Sequence, residues 1–165
     1  MFVYSFKASS LKLWGIICVC VVAAALVISL MLGVGSSLNV NKLEGMKELS
    51  KINVSKVSGR IEFLERLGFS VDKDSVTETS ERLPEKMDAV TEKYNALQRM
   101  QGLDLSGYCG KKLKGYTYEV VSLPDNTKTG GNRYLATVIV YKNKVVGADL
   151  CCKETGEVLP LITAI

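Results

Sequence analysis

Between Leu13 and Asn41 the chain carries no charged residue, and from Leu13 to Val34 it is apolar except for Gly15, Ser29 and Gly33. A helix of those 22 residues, rising ~1.5 Å per residue, spans roughly 33 Å, enough to cross a hydrocarbon core of ~30 Å. Trp14 falls at its first turn, where an indole suits the headgroup level. Lys7 and Lys12 precede the run, and no acidic residue occurs before Glu44. The cations Lys42, Lys47, Lys51 and Lys56 follow it and weigh against a simple positive-inside orientation. The first 12 residues are too short to fold, however, and the bulk of the chain lies after the run. The expected arrangement is a single-pass protein of the cell membrane. Residues 1–12 form a short cytoplasmic tail, residues 13–34 an anchor in the lipid bilayer, residues 35–56 a stalk, and residues 57–165 an extracytoplasmic domain. The competing reading is a cleaved secretory signal and a secreted domain. A signal's apolar region is usually ~7–15 residues and ends at a small-x-small site; this run is longer, and Val34-Gly35-Ser36 matches such a site poorly. Cys18 and Cys20 follow Ile17 and Val19, so neither fits a lipoprotein signal. Both read as apolar helix side chains.

Beyond the anchor the pattern is that of a mixed domain. Val57, Ile61, Leu64 and Leu67 recur at helical spacing, and Gly68 stands where a left-handed cap belongs. Residues 76–83 alternate in polarity and are rich in Thr and Ser, as in an exposed edge strand. Pro84 suits the first position of a second helix, with Glu85 and Asp88 near its positive end; Met87, Val90, Tyr94 and Leu97 line one face, and Gly102 ends it. Residues 113–123 place Tyr116, Tyr118 and Val120 on one face of a strand. Residues 133–141 and 144–152 are two β runs joined by Lys142-Asn143, a hairpin that pairs Tyr141 with Lys144, Ile139 with Val146 and Leu135 with Leu150. The apolar tail from Val158 is suited to docking. The expected fold is α+β, two helices on a three- to four-stranded antiparallel sheet.

Several runs together resemble one family. Residues 60–71 (RIEFLERLGFSV), Leu83-Pro84-Glu85, residues 94–105 (YNALQRMQGLDL), residues 114–120 (KGYTYEV) and residues 140–149 are similar to the bacterial membrane or exported family catalogued as domain of unknown function 4830. The similarity spans residues ~57–155. The family's last hairpin tends to turn through Asp-Gly, where Lys142-Asn143 stands here. The resemblance implies a bacterial source and an extracytoplasmic domain; it implies no activity and no catalytic residues.

With no His, the chain has no Ser-His-Asp or Cys-His catalysis and no imidazole metal site. A net charge of +4 over 165 residues is too weak to point to nucleic acid. Residues 110–115 have the glycine spacing of a phosphate loop but lack its Lys-Ser/Thr pair, and residues 72–83 begin like a calcium loop but lack its turn glycine and closing Glu. Neither a cofactor nor a metal is therefore expected. Cys109, Cys151 and Cys152 lie outside the anchor. They read as idle thiols, or as a disulfide from Cys109 to Cys151 or Cys152, which would close a loop of about 43 residues and contribute roughly 4 kcal/mol. Charge is segregated: residues 62–104 carry ten acids and six bases, residues 111–144 seven bases and two acids. The plain reading is two different solvated faces. The sharper one is that Lys111, Lys112, Lys114, Arg133, Lys142 and Lys144 meet an acidic protein or an anionic cell-surface partner. The expected function is a membrane-tethered, non-enzymatic binding or interaction module acting through a sheet edge or this basic face. The alternatives are an extracytoplasmic thiol-dependent enzyme or redox protein using Cys109 or Cys151/Cys152, and a small subunit whose anchor binds other membrane helices.

Overall fold

The computed structural model of the protein describes residues 40–124 and 131–164. The tail and anchor expected over residues 1–34, with Cys18 and Cys20, lie outside the described residues; among those described, no helix is long and apolar enough to cross a membrane.

Two helices end by the same device. Helix α1 spans Val40–Leu49, α2 spans Val57–Arg66 and α3 spans Ala89–Met100. After α2, Gly68 adopts φ +85°, its N–H donates to the Glu65 carbonyl at 2.9 Å and the Phe69 N–H reaches back to Leu64 at 3.0 Å. After α3, Gly102 adopts φ +81°, with its N–H on Arg99 at 3.1 Å and that of Leu103 on Gln98 at 3.0 Å. Both are the paired reverse bonds of a glycine C-cap, closed by a buried apolar residue, Phe69 or Leu103. The start of α3 differs from the sequence expectation. The helix begins after Asp88, whose carboxylate accepts the Thr91 N–H at 2.7 Å, and not at Pro84. That bond holds the Asp88 carboxyl below its ordinary pKa. Pro84 is held outside the helix because the carbonyls of Leu83 and Pro84 accept the Gly110 N–H, at 3.0 and 3.2 Å.

The sheet is antiparallel and built around one long strand. Strands β1 (Ser70–Val71), β2 (Thr77–Arg82), β3 (Lys112–Ser122), β4 (Tyr134–Tyr141), β5 (Lys144–Cys152) and β6 (Val158–Leu159) form it. Both β1 and β2 pair with β3, while β4, β5 and β6 follow in order on its other side. The sheet therefore has six strands rather than three or four. Turn residue Lys142 has φ +56°, and Tyr141 faces Lys144 as expected. A bulge between Ile139 and Val140 then shifts the register, so Ile139 faces Gly147 and Leu135 faces Cys151. The extra residue lets Val145 join the main core while Val146 points to the opposite face.

Strand alternation separates two apolar layers. Tyr116, Tyr118, Ala136, Val138, Ala148 and Leu150 face the main core with Ile61, Leu64 and Phe69 from α2 and the turn after it. Leu113, Val146, Ile139 and Tyr141 face the other way, against Leu83, Met87, Tyr94, Leu105 and Tyr108. The helices thus cover both sheet faces, not one. Residues expected as stalk also belong to the folded body. Met46 and Val54 are buried in the main core, the Val54 N–H donates to Asn143 in the hairpin turn at 3.1 Å, and a Cβ on Gly59 would lie 2.0 Å from the Asn53 carbonyl oxygen. Arg60 completes the connection. Its Nε donates to the buried Tyr118 hydroxyl at 2.8 Å, its Nη1 donates to the carbonyls of Val54 and Ser55, and its guanidinium lies 3.7 Å from the Tyr116 ring centroid. The apolar tail docks as expected, with Leu161 and Ile162 buried.

Candidate functional site

Strand β2 reads Thr-Glu-Thr-Ser-Glu-Arg, and only Thr79 in it is even half-buried. It pairs with β3 on one side, from Thr77 opposite Thr117 to Arg82 opposite Lys112, and among the described residues nothing pairs with it on the other. The Leu83 N–H donates inward to the Lys111 carbonyl at 2.9 Å. In an antiparallel ladder the inward-bonding residues alternate with outward ones. Glu81, Thr79 and Thr77 therefore bond to β3, and Glu78, Ser80 and Arg82 turn their N–H and C=O groups outward. Gly115 makes the close seating of β2 feasible, since a Cβ there would stand 2.6 Å from Thr79 Oγ1. The Glu78 carboxylate accepts from Lys114 Nζ at 2.6 Å, which fastens β2 to β3 at the surface.

On the opposite side of the sheet the outer groups of β5 are closed off from Ala148 to Cys152. Strand β6 pairs with β5 only at Leu150 and Cys151. Two fully buried glutamines of the α3 region cover the next residue. Gln98 Oε1 accepts the Ala148 N–H at 2.8 Å, Gln101 Nε2 donates to the Ala148 carbonyl at 2.5 Å, and Gln101 Oε1 accepts the Leu161 N–H at 3.0 Å. Side-chain amides here stand in for a neighbouring strand. Sequence reading passed over both glutamines; the available signal was two uncharged amides three residues apart beside the apolar stripe of α3.

The six candidate cations do not form one face. Lys114 faces Val140 and Lys144 faces Tyr141, so Lys112 lies level with the turn at Lys142, and Lys111, Lys112, Lys142 and Lys144 share the hairpin end of the sheet. Lys142 Nζ sits 5.6 Å from the Tyr141 ring centroid. Lys114 is ion-paired with Glu78. Arg133 stands at the far end of β4, where its Nε meets Glu154 at 3.1 Å and its backbone N–H donates to the same carboxylate, which lowers the Glu154 pKa. Eight strand residues separate the two ends by ~25 Å.

The three outer cysteines are not disulfide-bonded. Cys152 is buried, with its thiol 3.6 Å from Glu154 Oε2, Cys151 packs against the cluster of Leu97 and Val158, and Cys109 is half-buried after the short turn of Ser106–Tyr108.

One ionisable group escaped the sequence reading. Asp149 lies on β5 opposite Thr137, which lies opposite Thr117 on β3. Tyr94 donates its hydroxyl to Asp149 Oδ2, Thr137 also bonds the carboxyl, and the Thr137 and Thr117 hydroxyls are 3.1 Å apart. Burial pushes the Asp149 carboxyl up to about 6, against the lowering effect of the Tyr94 and Thr137 bonds. The polar row fastens α3 to the sheet. Its signal in the sequence was a lone acid inside an otherwise apolar β run.

No curated protein and no solved structure matches the chain. The family described as Domain of unknown function (DUF4830) matches residues 63–150, a span running from α2 through β5 that holds β2, the hairpin end, both glutamines and Asp149. The match covers more than half of the 165 residues, so the chain belongs to the DUF4830 family.

Proposed function

We propose that this chain is a single-pass, membrane-tethered interaction module of the extracytoplasmic side, non-catalytic, that docks a partner strand along β2. The observation that carries this reading is the outer side of β2, unpaired among the described residues, with Glu78, Ser80 and Arg82 presenting backbone donors and acceptors. An extended segment added there gains main-chain hydrogen bonds at once, and the flanking side chains select it. The basic end formed by Lys111, Lys112, Lys142 and Lys144 adjoins the Arg82 end of β2, so the same partner meets cations as it leaves the strand. The anchor rests on the apolar run from Leu13 to Val34, and the outward placement is part of the same proposal.

The test uses the full chain and its Ser80→Pro variant as baits in native membranes. Ser80 directs its N–H away from β3, so proline removes an outward donor and no β2–β3 bond. A partner held by the wild type and lost by Ser80→Pro supports docking at β2. Equal capture by both excludes it.

A further inference from the structure

We infer that the strand docked on β2 is β2 of a second copy of this chain, the two copies pairing about a two-fold axis that passes beside Ser80. The inference rests on the reading of β2 as a docking edge and names its occupant. In an antiparallel pair, outward-bonding residues of one strand face outward-bonding residues of the other. With Glu78, Ser80 and Arg82 outward, only a few self-pairings are allowed. When Ser80 faces Ser80, Glu78 faces Arg82 of the second copy and Arg82 faces its Glu78. Each outward N–H then meets an outward C=O, and both cross-strand charge pairs are of opposite sign. A slip one way sets Glu78 opposite Ser80 and Arg82 opposite Val76. A slip the other way sets Glu78 opposite Pro84, which has no N–H to give. Centring on Glu78 brings the two carboxylates together.

The side chains fit the same register. Glu78 and Arg82 share a sheet face, since they stand opposite Tyr116 and Lys112. Glu78 already accepts from Lys114 on its own chain, and Arg82 of the second copy, whose Nη1 donates to its own Gly110 carbonyl at 2.8 Å, has its other N–H donors for Glu78 on the free side. Charges on an edge strand ordinarily discourage indiscriminate pairing; here they are ordered so that one register with a copy of itself is favoured. Among the described residues the outer side of β5 offers no such strand, because Gln98 and Gln101 occupy the groups of Ala148 and β6 covers Leu150 and Cys151. Confinement of copies to one bilayer through the anchor would raise their effective concentration for this contact.

The experiment uses the full chain in detergent micelles. Its mass is followed by sedimentation over a range of concentration, for the wild type, Glu78→Arg, Arg82→Glu and the double exchange. The wild type should dimerise, each single exchange should weaken the dimer by ~10-fold or more, and the double exchange should restore it. Arg82→Glu leaves the Lys114–Glu78 bond intact but removes the bond from Arg82 Nη1 to the Gly110 carbonyl at 2.8 Å; the double exchange removes it too, so restoration of the dimer by the double exchange separates the cross-strand pair from a loosening of β2. Hydrogen-bonded antiparallel partners have Cα atoms ~5.5 Å apart, within disulfide reach. Ser80→Cys should therefore cross-link two copies under mild oxidation, above the level of the wild type and of Thr77→Cys. A wild-type monomer, a dimer indifferent to both exchanges, or a double exchange that fails to restore it would overturn the inference. Its failure is separable from that of the docking edge. A monomeric chain whose membrane partner is still lost on Ser80→Pro keeps the edge and loses the second copy, whereas Ser80→Pro that matches the wild type in both mass and capture removes both.

Discussion

The two sides of the sheet present the same backbone chemistry and treat it oppositely. At β5 the groups beyond β6 are taken up by Gln98 and Gln101, which are themselves buried, and the strand is packed on both faces. At β2 no described strand takes up the outer groups, the side chains are short or charged, and β3 is the one strand among the described residues that pairs with it. A buried edge must have its donors and acceptors matched, because an unmatched group there costs about 1–3 kcal/mol. An exposed edge is matched by water at little cost, and is therefore open to another strand. The closed side contributes to stability; the open side is where change is tolerated and where contact can be made.

The sharpest way to break this contrast is to open the closed side. Replacing Gln98 and Gln101 together by Leu strands the N–H and C=O of Ala148 and the N–H of Leu161, and should cost about 4 kcal/mol in denaturant unfolding, near the limit a small domain withstands. The next effect is a pH dependence carried by the same side. Asp149 titrates at about 6 in the fold, above its ordinary 3.8. The native state therefore binds this proton more tightly than the unfolded chain, and its protonated form is the favoured one. Stability is greatest below the unfolded value and falls as pH rises through about 6, by about 3 kcal/mol in total. Asp149→Asn should remove that dependence, so urea midpoints of wild type and variant should diverge between pH 4 and 7, with the variant the more stable at neutral pH.

On the open side the effects should be smaller. Gly115→Ala places a Cβ against Thr79 Oγ1, which must turn away and give up its contact with the Gly115 carbonyl; the expected loss is about 1 kcal/mol, with faster amide exchange confined to β2. Ser80→Ala should change stability by less than about 0.5 kcal/mol, since it touches neither core nor ladder. Ser80→Ala proving as costly as a glutamine replacement would show that β2 is not an open edge in solution.

Much of the architecture is legible locally. Gly68 and Gly102 mark helix ends because only glycine adopts their φ readily, and that requirement sits at one position in the chain. The alternation of Tyr116 and Tyr118 reveals β3, and the polar alternation of residues 76–83 reveals an exposed strand, because side chains on successive strand residues point to opposite faces. Other features are not local. Pro84 and Asp88 both satisfy the rules for starting a helix, and the choice falls to Asp88 because Gly110, far along the chain, binds the carbonyls of Leu83 and Pro84. Met46 and Val54 look like stalk until a core exists to receive them. Arg133 reads as a neighbour of Lys142 by charge, yet β4 carries it to the opposite end, beside Glu154.

By itself the sequence determined α2, the body of α3 and the strands β2 to β5, where two helices stop, and that β2 is too polar to be buried, since each follows from periodicity or from the conformational limits of single residues. Only the tertiary structure decided which edge of the sheet is sealed and which is open, and that Asp149 ends in a site that raises its pKa. Those outcomes depend on which distant groups come within hydrogen-bond range, and no spacing along the chain encodes that distance.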